Sequence, residues 1–110
     1  MIKKMTIVAV ALVLAGAACL VTVAQSEEKV VRLAYVDWST EVASAHMVQA
    51  VLQEKLGVTC VITEMSADEM WESVASGDQD AMVAAWLPST HGHYYEEHFR
   101  NLDDLGANLH

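Results

Sequence analysis

Three short apolar runs rich in β-branched residues, separated by two stretches of helical periodicity, constrain this chain more than any other feature. Val30-Val31-Arg32-Leu33-Ala34-Tyr35-Val36 is apolar almost throughout, the pattern of a strand covered on both faces. It stops at Asp37-Trp38-Ser39-Thr40, where Ser39 or Thr40 can cap a following helix. In that helix Val42, Ala45, His46, Val48, Gln49, Val51, Leu52 and Leu56 recur in a helical rhythm until Gly57 ends it. Val58 to Met65 reads as a second strand. Ser66-Ala67-Asp68-Glu69 places serine three residues before glutamate, a capping box that opens a helix through Met70, Trp71, Val74 and Ala75 to Gly77. Asp80 to Trp86 reads as a third strand. The order β-α-β-α-β with short connections predicts an α/β fold: a parallel sheet with right-handed crossovers and flanking helices. Beyond Pro88, His91 to Arg100 is expected to form a short helix and Asn101 to His110 a loop.

The first residues stand outside this pattern. Lys3 and Lys4 precede an uncharged apolar run from Met5 to Ala24, followed at once by Gln25-Ser26-Glu27-Glu28, which are the basic, apolar and polar regions of a secretory signal. Thr22-Val23-Ala24 places cleavage after Ala24, so residues 1–24 are read as a signal peptide and the remainder as periplasmic or otherwise extracytoplasmic. Two other readings compete. Gly16-Ala17-Ala18-Cys19 is a candidate lipoprotein site with a lipid anchor at Cys19, although glycine stands where leucine is usual; the apolar run is also just long enough to remain as a membrane anchor. Residues 25–110 hold four basic and fifteen acidic side chains, a net of −11. That balance excludes a nucleic-acid partner, which would need a basic face. Cys60 alone remains after cleavage and reads as a small buried apolar residue, with no disulfide. Three strands make only half of an α/β domain, and their apolar edges need neighbours, so a continuation of the chain is expected.

Trp38 and Trp86 each stand where an apolar run gives way to turn residues. In a parallel sheet the ends of the first and third strands point the same way, and ligands of open α/β sheets bind at that carboxyl edge. Indole faces carry a negative quadrupole and suit a bulky, poorly hydrated cation such as a quaternary ammonium. Taken singly, either tryptophan could equally be a lid over the core. Trp71, inside a helix between Met70 and Val74, reads as core. His91 follows Trp86 in a turn containing Pro88, where a neutral imidazole can donate to an anionic group; the plainer reading is a surface turn residue.

His91, His93 and His98, with Glu96 and Glu97 beside them, raise an alternative: an exported metal-binding or sensor module. Their spacing matches no compact helical ligand face, and no cysteine supports them. An enzyme is not expected, since the chain has no Gly-x-Ser-x-Gly turn and no paired nucleophile and base. No cofactor motif is present.

Four segments carry a family resemblance: Leu33-Ala34-Tyr35-Val36-Asp37-Trp38-Ser39-Thr40-Glu41-Val42-Ala43-Ser44, Met70-Trp71-Glu72-Ser73-Val74-Ala75-Ser76-Gly77, Ala84-Ala85-Trp86-Leu87-Pro88-Ser89-Thr90-His91 and Leu102-Asp103-Asp104-Leu105-Gly106-Ala107-Asn108-Leu109. Together they resemble the glycine betaine substrate-binding proteins of ABC importers, in register across the mature stretch. The resemblance implies a two-lobed binding protein of the periplasmic type II class, of which residues 25–110 form the first part of lobe 1 and the second lobe is missing. It implies glycine betaine, proline betaine, carnitine or choline as ligand and an ABC permease subunit as partner. A prism of tryptophans would enclose the ammonium group, with Trp38 and Trp86 contributing to it and His91 addressing the carboxylate end. Ser89 stands where asparagine is commoner in the family.

Overall fold

The computed structural model describes residues 27–107, and the signal, lipid-anchor and membrane-anchor readings lie outside them. Strands β1 (Val30–Tyr35), β2 (Thr59–Glu64) and β3 (Ala81–Met82) alternate with helices α1 (Ser39–Leu56) and α2 (Ala67–Ser76); a short helix α3 (Gly92–His98) and a 3-10 turn at Phe99–Asn101 follow. The sheet is parallel throughout, in the order β2-β1-β3. β1 is therefore central, as its apolar run requires. Its neighbours Leu33 and Ala34 point to opposite faces and are both buried. With right-handed crossovers, this strand order places α1 and α2 on opposite sides of the sheet and puts the chain reversal between β1 and β3.

Both long helices stop at glycine because their C-caps are left-handed, Gly57 at φ 62° and Gly77 at φ 86°. α2 starts on the expected capping box: Ser66 accepts from the Glu69 amide, and the Glu69 carboxylate accepts from the Ser66 amide at 2.9 Å. The core lies on the α2 side, where Ala34, Met70 and Trp71 are closed over by Val36, Met82, Tyr94 and Leu102. On the other side Ala45 is buried, while His46, Val51 and Leu56 are exposed, so the inward face of α1 is narrower than its apolar content predicts. Gln49 and Gln53 of α1 bond the carbonyl and amide of Cys60, which occupies part of the outer edge of β2.

The third strand is corrected. It pairs with β1 only through Leu33↔Ala81 and Ala34↔Met82, and residues 83–86 leave the sheet. β1 itself runs only one residue beyond this pairing, to Tyr35, before the chain turns toward α1 at Ser39, so little ladder remains for a longer β3. The start of β3 is pinned by Asp80, whose amide donates to the Arg32 carbonyl at 2.8 Å and whose carboxylate accepts from the Arg32 amide and guanidinium.

Candidate functional site

β1 ends at Tyr35 and α1 begins at Ser39, so Trp38 lies in the connection at the carboxyl end of the central strand. Trp38 itself occupies the N-cap, in extended backbone at φ −109° and ψ 133°, and no side chain caps the helix. The expected cap from Ser39 or Thr40 does not form, because the Val42 amide donates to the Trp38 carbonyl at 2.8 Å and starts the helix a residue early. The Trp38 amide donates to the Val36 carbonyl at 2.7 Å, which makes the turn tight.

Trp86 arrives from the other side of the chain reversal. Its carbonyl accepts from the His91 amide at 2.9 Å, and its own amide donates to His91 Nδ1 at 3.0 Å, so His91 holds both backbone groups of Trp86. The Leu87–Pro88 peptide within this loop is cis.

These two turns bring the three residues singled out from sequence into one aromatic cluster. The rings of Trp38 and Trp86 are 4.5 Å apart, centroid to centroid, and tilted by 39°. His91 stacks on both, at 5.6 Å and 6.2 Å and at 25° to each. Trp71 and Tyr94 meet its ring edge-on at 5.6 Å and 5.7 Å. His91 is only 1% exposed, and Trp86 is 43% exposed. The surface reading of His91 is thus corrected: it is the floor of the cluster, and the indoles are its outer layer. Trp71 is buried in the core, as its helical spacing predicts.

The tautomer of His91 follows from its bonding. Nδ1 accepts a backbone N–H, so the proton of the neutral ring sits on Nε2, which has no hydrogen-bond partner. Burial, aided by His93, pushes its pKa down and keeps the ring neutral. A cation lying between two ring faces, within about 6 Å of each, needs them well apart. At 4.5 Å the indole pair closes on itself, a normal aromatic contact.

Two hollows of about 200 and 280 Å³ run along α2, lined by Asp68, Tyr94 and His98 and by Ser73, Ser76 and Asp78 respectively, with Glu72 shared. Neither takes in Trp38, Trp86 or His91. The three histidines do not converge: His93 is exposed against Tyr94, His98 lies 4.0 Å from Glu97, and among the described residues no three of His, Cys, Asp and Glu form a metal-ligand group. One participant escaped the sequence reading. Glu41, in the first turn of α1, is 1% exposed and its Oε1 accepts from the Val36 amide at 3.2 Å. Its spacing from Trp38, the same three residues that separate Ser66 from Glu69, was the available signal.

A parallel sheet with helices on both faces in this strand order has the fold of one lobe of a periplasmic-type binding protein. Residues 29–109 match the family described as the substrate binding domain of ABC-type glycine betaine transport systems, OpuAC, and the chain belongs to that family. It is 43% identical over 79 residues to the glycine betaine/carnitine transport binding protein GbuC of Listeria monocytogenes, covering 72% of this chain and 26% of that protein. Among solved structures, lactococcal OpuAC in its closed-liganded conformation with glycine betaine superposes with a TM-score of 0.64 at 37% identity, over 71% of this chain and 30% of that one. The glycine betaine, L-proline-binding protein ProX of Borrelia burgdorferi follows at 0.61 and 32%, over 66% of this chain and 27% of its own. The chain thus spans between a quarter and a third of the relatives it matches. The family is one of transport binding domains rather than enzymes.

Proposed function

We propose that this chain supplies one wall of an extracytoplasmic receptor for glycine betaine or a related quaternary ammonium solute, delivering it to an ABC permease. The observation that carries the reading is the Trp38–Trp86 pair, 4.5 Å apart at the carboxyl edge of the sheet, in a chain of the glycine betaine-binding family. Trp38 and Trp86 face the ammonium methyls, each contributing about 0.5–2 kcal/mol of cation–π attraction once water is excluded. His91 holds Trp86 in place and offers Nε2–H to the carboxylate end, which reaches it only when the indoles have parted. A second lobe closing over this wall completes the cage and sequesters the ligand. Carnitine and choline share the trimethylammonium group and differ at the other end, so the His91 side separates them from glycine betaine; proline betaine keeps the α-carboxylate and differs at the ammonium, where the indoles meet it. Binding is the whole of the function, with no bond made or broken and no cofactor required.

The test is calorimetric titration of glycine betaine into the protein at its full encoded length. Trp38→Ala and Trp86→Ala should each weaken affinity by roughly tenfold or more, the loss of one ring's cation–π energy with its burial. Wild-type affinity in both variants would remove the assignment.

A further inference from the structure

The β1–α1 connection contains a side chain that the ligand-binding reading leaves unused. Glu41 is almost fully buried, one oxygen bonded to the Val36 amide and the other, Oε2, without a hydrogen-bond partner. It occupies the third position of α1, counted from the Trp38 cap, where a glutamate ordinarily reaches back to the capping residue's own amide. Glu69 does so in α2. In α1 that amide is already committed, because Trp38 donates to the Val36 carbonyl. The Glu41 carboxyl reaches two residues further back and takes the Val36 amide instead.

The backbone groups of Val36 and Trp38, on either side of Asp37, are then accounted for. Val36 is held through its amide by Glu41 and through its carbonyl by Trp38; Trp38 is held through its carbonyl by Val42. Of these contacts only the one from Glu41 is made by a side chain, so it alone depends on residue type. A buried carboxyl with one oxygen unpaired is a poor way to stabilise a helix start, since an exposed acid would serve the helix equally well. Local rules broken at one place and kept at the equivalent place nearby mark a functional constraint.

We propose that Glu41 is the positioning residue of the aromatic wall: its carboxyl, bonded to the Val36 amide, fixes the turn that presents Trp38 to Trp86. Its effect on affinity rests on the reading that Trp38 faces the ligand, whereas its effect on the indole pair does not. The indoles, tilted and in contact, report on themselves through exciton coupling in circular dichroism, which Trp38→Phe and Trp86→Phe identify by abolishing it.

The experiment uses the protein at its full encoded length and reads three quantities: the ligand-free exciton couplet, glycine betaine affinity and thermal midpoint. Glu41→Ala should lose the couplet and weaken affinity by roughly tenfold, as loss of one oriented indole would. Glu41→Gln, whose amide oxygen still accepts from Val36, should keep both. If the alanine variant does not fold, Glu41→Asp takes its place; it retains the acid, falls a methylene short of Val36 and should lose the couplet. A lower midpoint with couplet and affinity intact would make Glu41 merely structural and overturn the proposal, as would equal damage from Gln and Ala. A couplet that follows Glu41 in a protein that never binds betaine would leave the positioning role standing and remove the ligand assignment.

Discussion

α1 and α2 both begin with a glutamate at the third helical position, and the two glutamates do opposite things. At α2, Ser66 and Glu69 exchange hydrogen bonds in the open, and the amide and hydroxyl of Ser66 hold the Glu69 carboxyl below its usual range. At α1 the cap is a tryptophan with nothing to offer the orphaned amides, and burial pushes the Glu41 carboxyl above its usual range. The first arrangement is what helix stability alone would select. The second gives up a cap to place an indole at the sheet edge. The comparison teaches where to look for function in a small α/β lobe: at the helix start that departs from the rule its neighbour obeys.

The largest expected effect separates the two regions by what they protect. Trp71, one turn into α2, is 1% exposed and packs on Ala34 and Met70, whereas Trp38 is only partly buried. Trp71→Ala should cost about 3–5 kcal/mol of stability, as large-to-small changes in cores do. Trp38→Ala should cost far less stability and act on affinity. Urea denaturation of both variants, read as a shift in midpoint at constant slope, checks the contrast. Equal destabilisation would mean that Trp38 is core and that the comparison has been misdrawn.

A smaller effect tests the caps themselves. Ser66→Ala removes both the oxygen that accepts from the Glu69 amide and the hydroxyl that bonds its carboxylate, and should lower stability by about 1 kcal/mol. Ser39→Ala, at the residue that sequence alone nominates as a cap for α1, should change stability by no more than about 0.5 kcal/mol, because its side chain caps nothing. A full capping loss at Ser39 would show that α1 is capped in solution after all.

These residues also show what was legible in sequence. Local signals carried far: the strand–helix alternation, the Ser66–Glu69 box, and the stops at Gly57 and Gly77 depend on residues within a turn of one another, and each appears where its pattern put it. Quantities set across the fold did not. β3 is short because its pairing with β1 stops at Ala34↔Met82, near the end of β1, which no property of residues 83–86 records. His91 reads as a turn residue until Trp38 and Trp71, from two other segments, close around it together with Tyr94 of the helix it caps. Trp38 and Trp86 could be nominated because both end apolar runs, but their contact distance is a product of two loops. Glu41 was legible only as spacing; its burial comes from the turn that Trp38 makes.

The smallest effect has the sharpest sign. Glu69 has a lowered pKa in the fold, so its contribution to stability is present above the ordinary carboxylate range and is lost as pH falls through the depressed value. Glu41 has a raised pKa, so the fold favours its protonated form; that contribution is complete below the unfolded-state value and is lost as pH rises through the folded one. Between acid and neutral pH the two groups therefore tilt the stability curve in opposite directions. Glu69→Gln should fall progressively behind wild type as pH rises, and Glu41→Gln should gain on it over the same range. Denaturation midpoints at a series of pH values give both slopes from one set of measurements. Slopes of the same sign would mean that Glu41 is ionised and solvated like Glu69, that the α1 turn opens to water, and that Trp38 is not held by the bond that distinguishes the two helix starts.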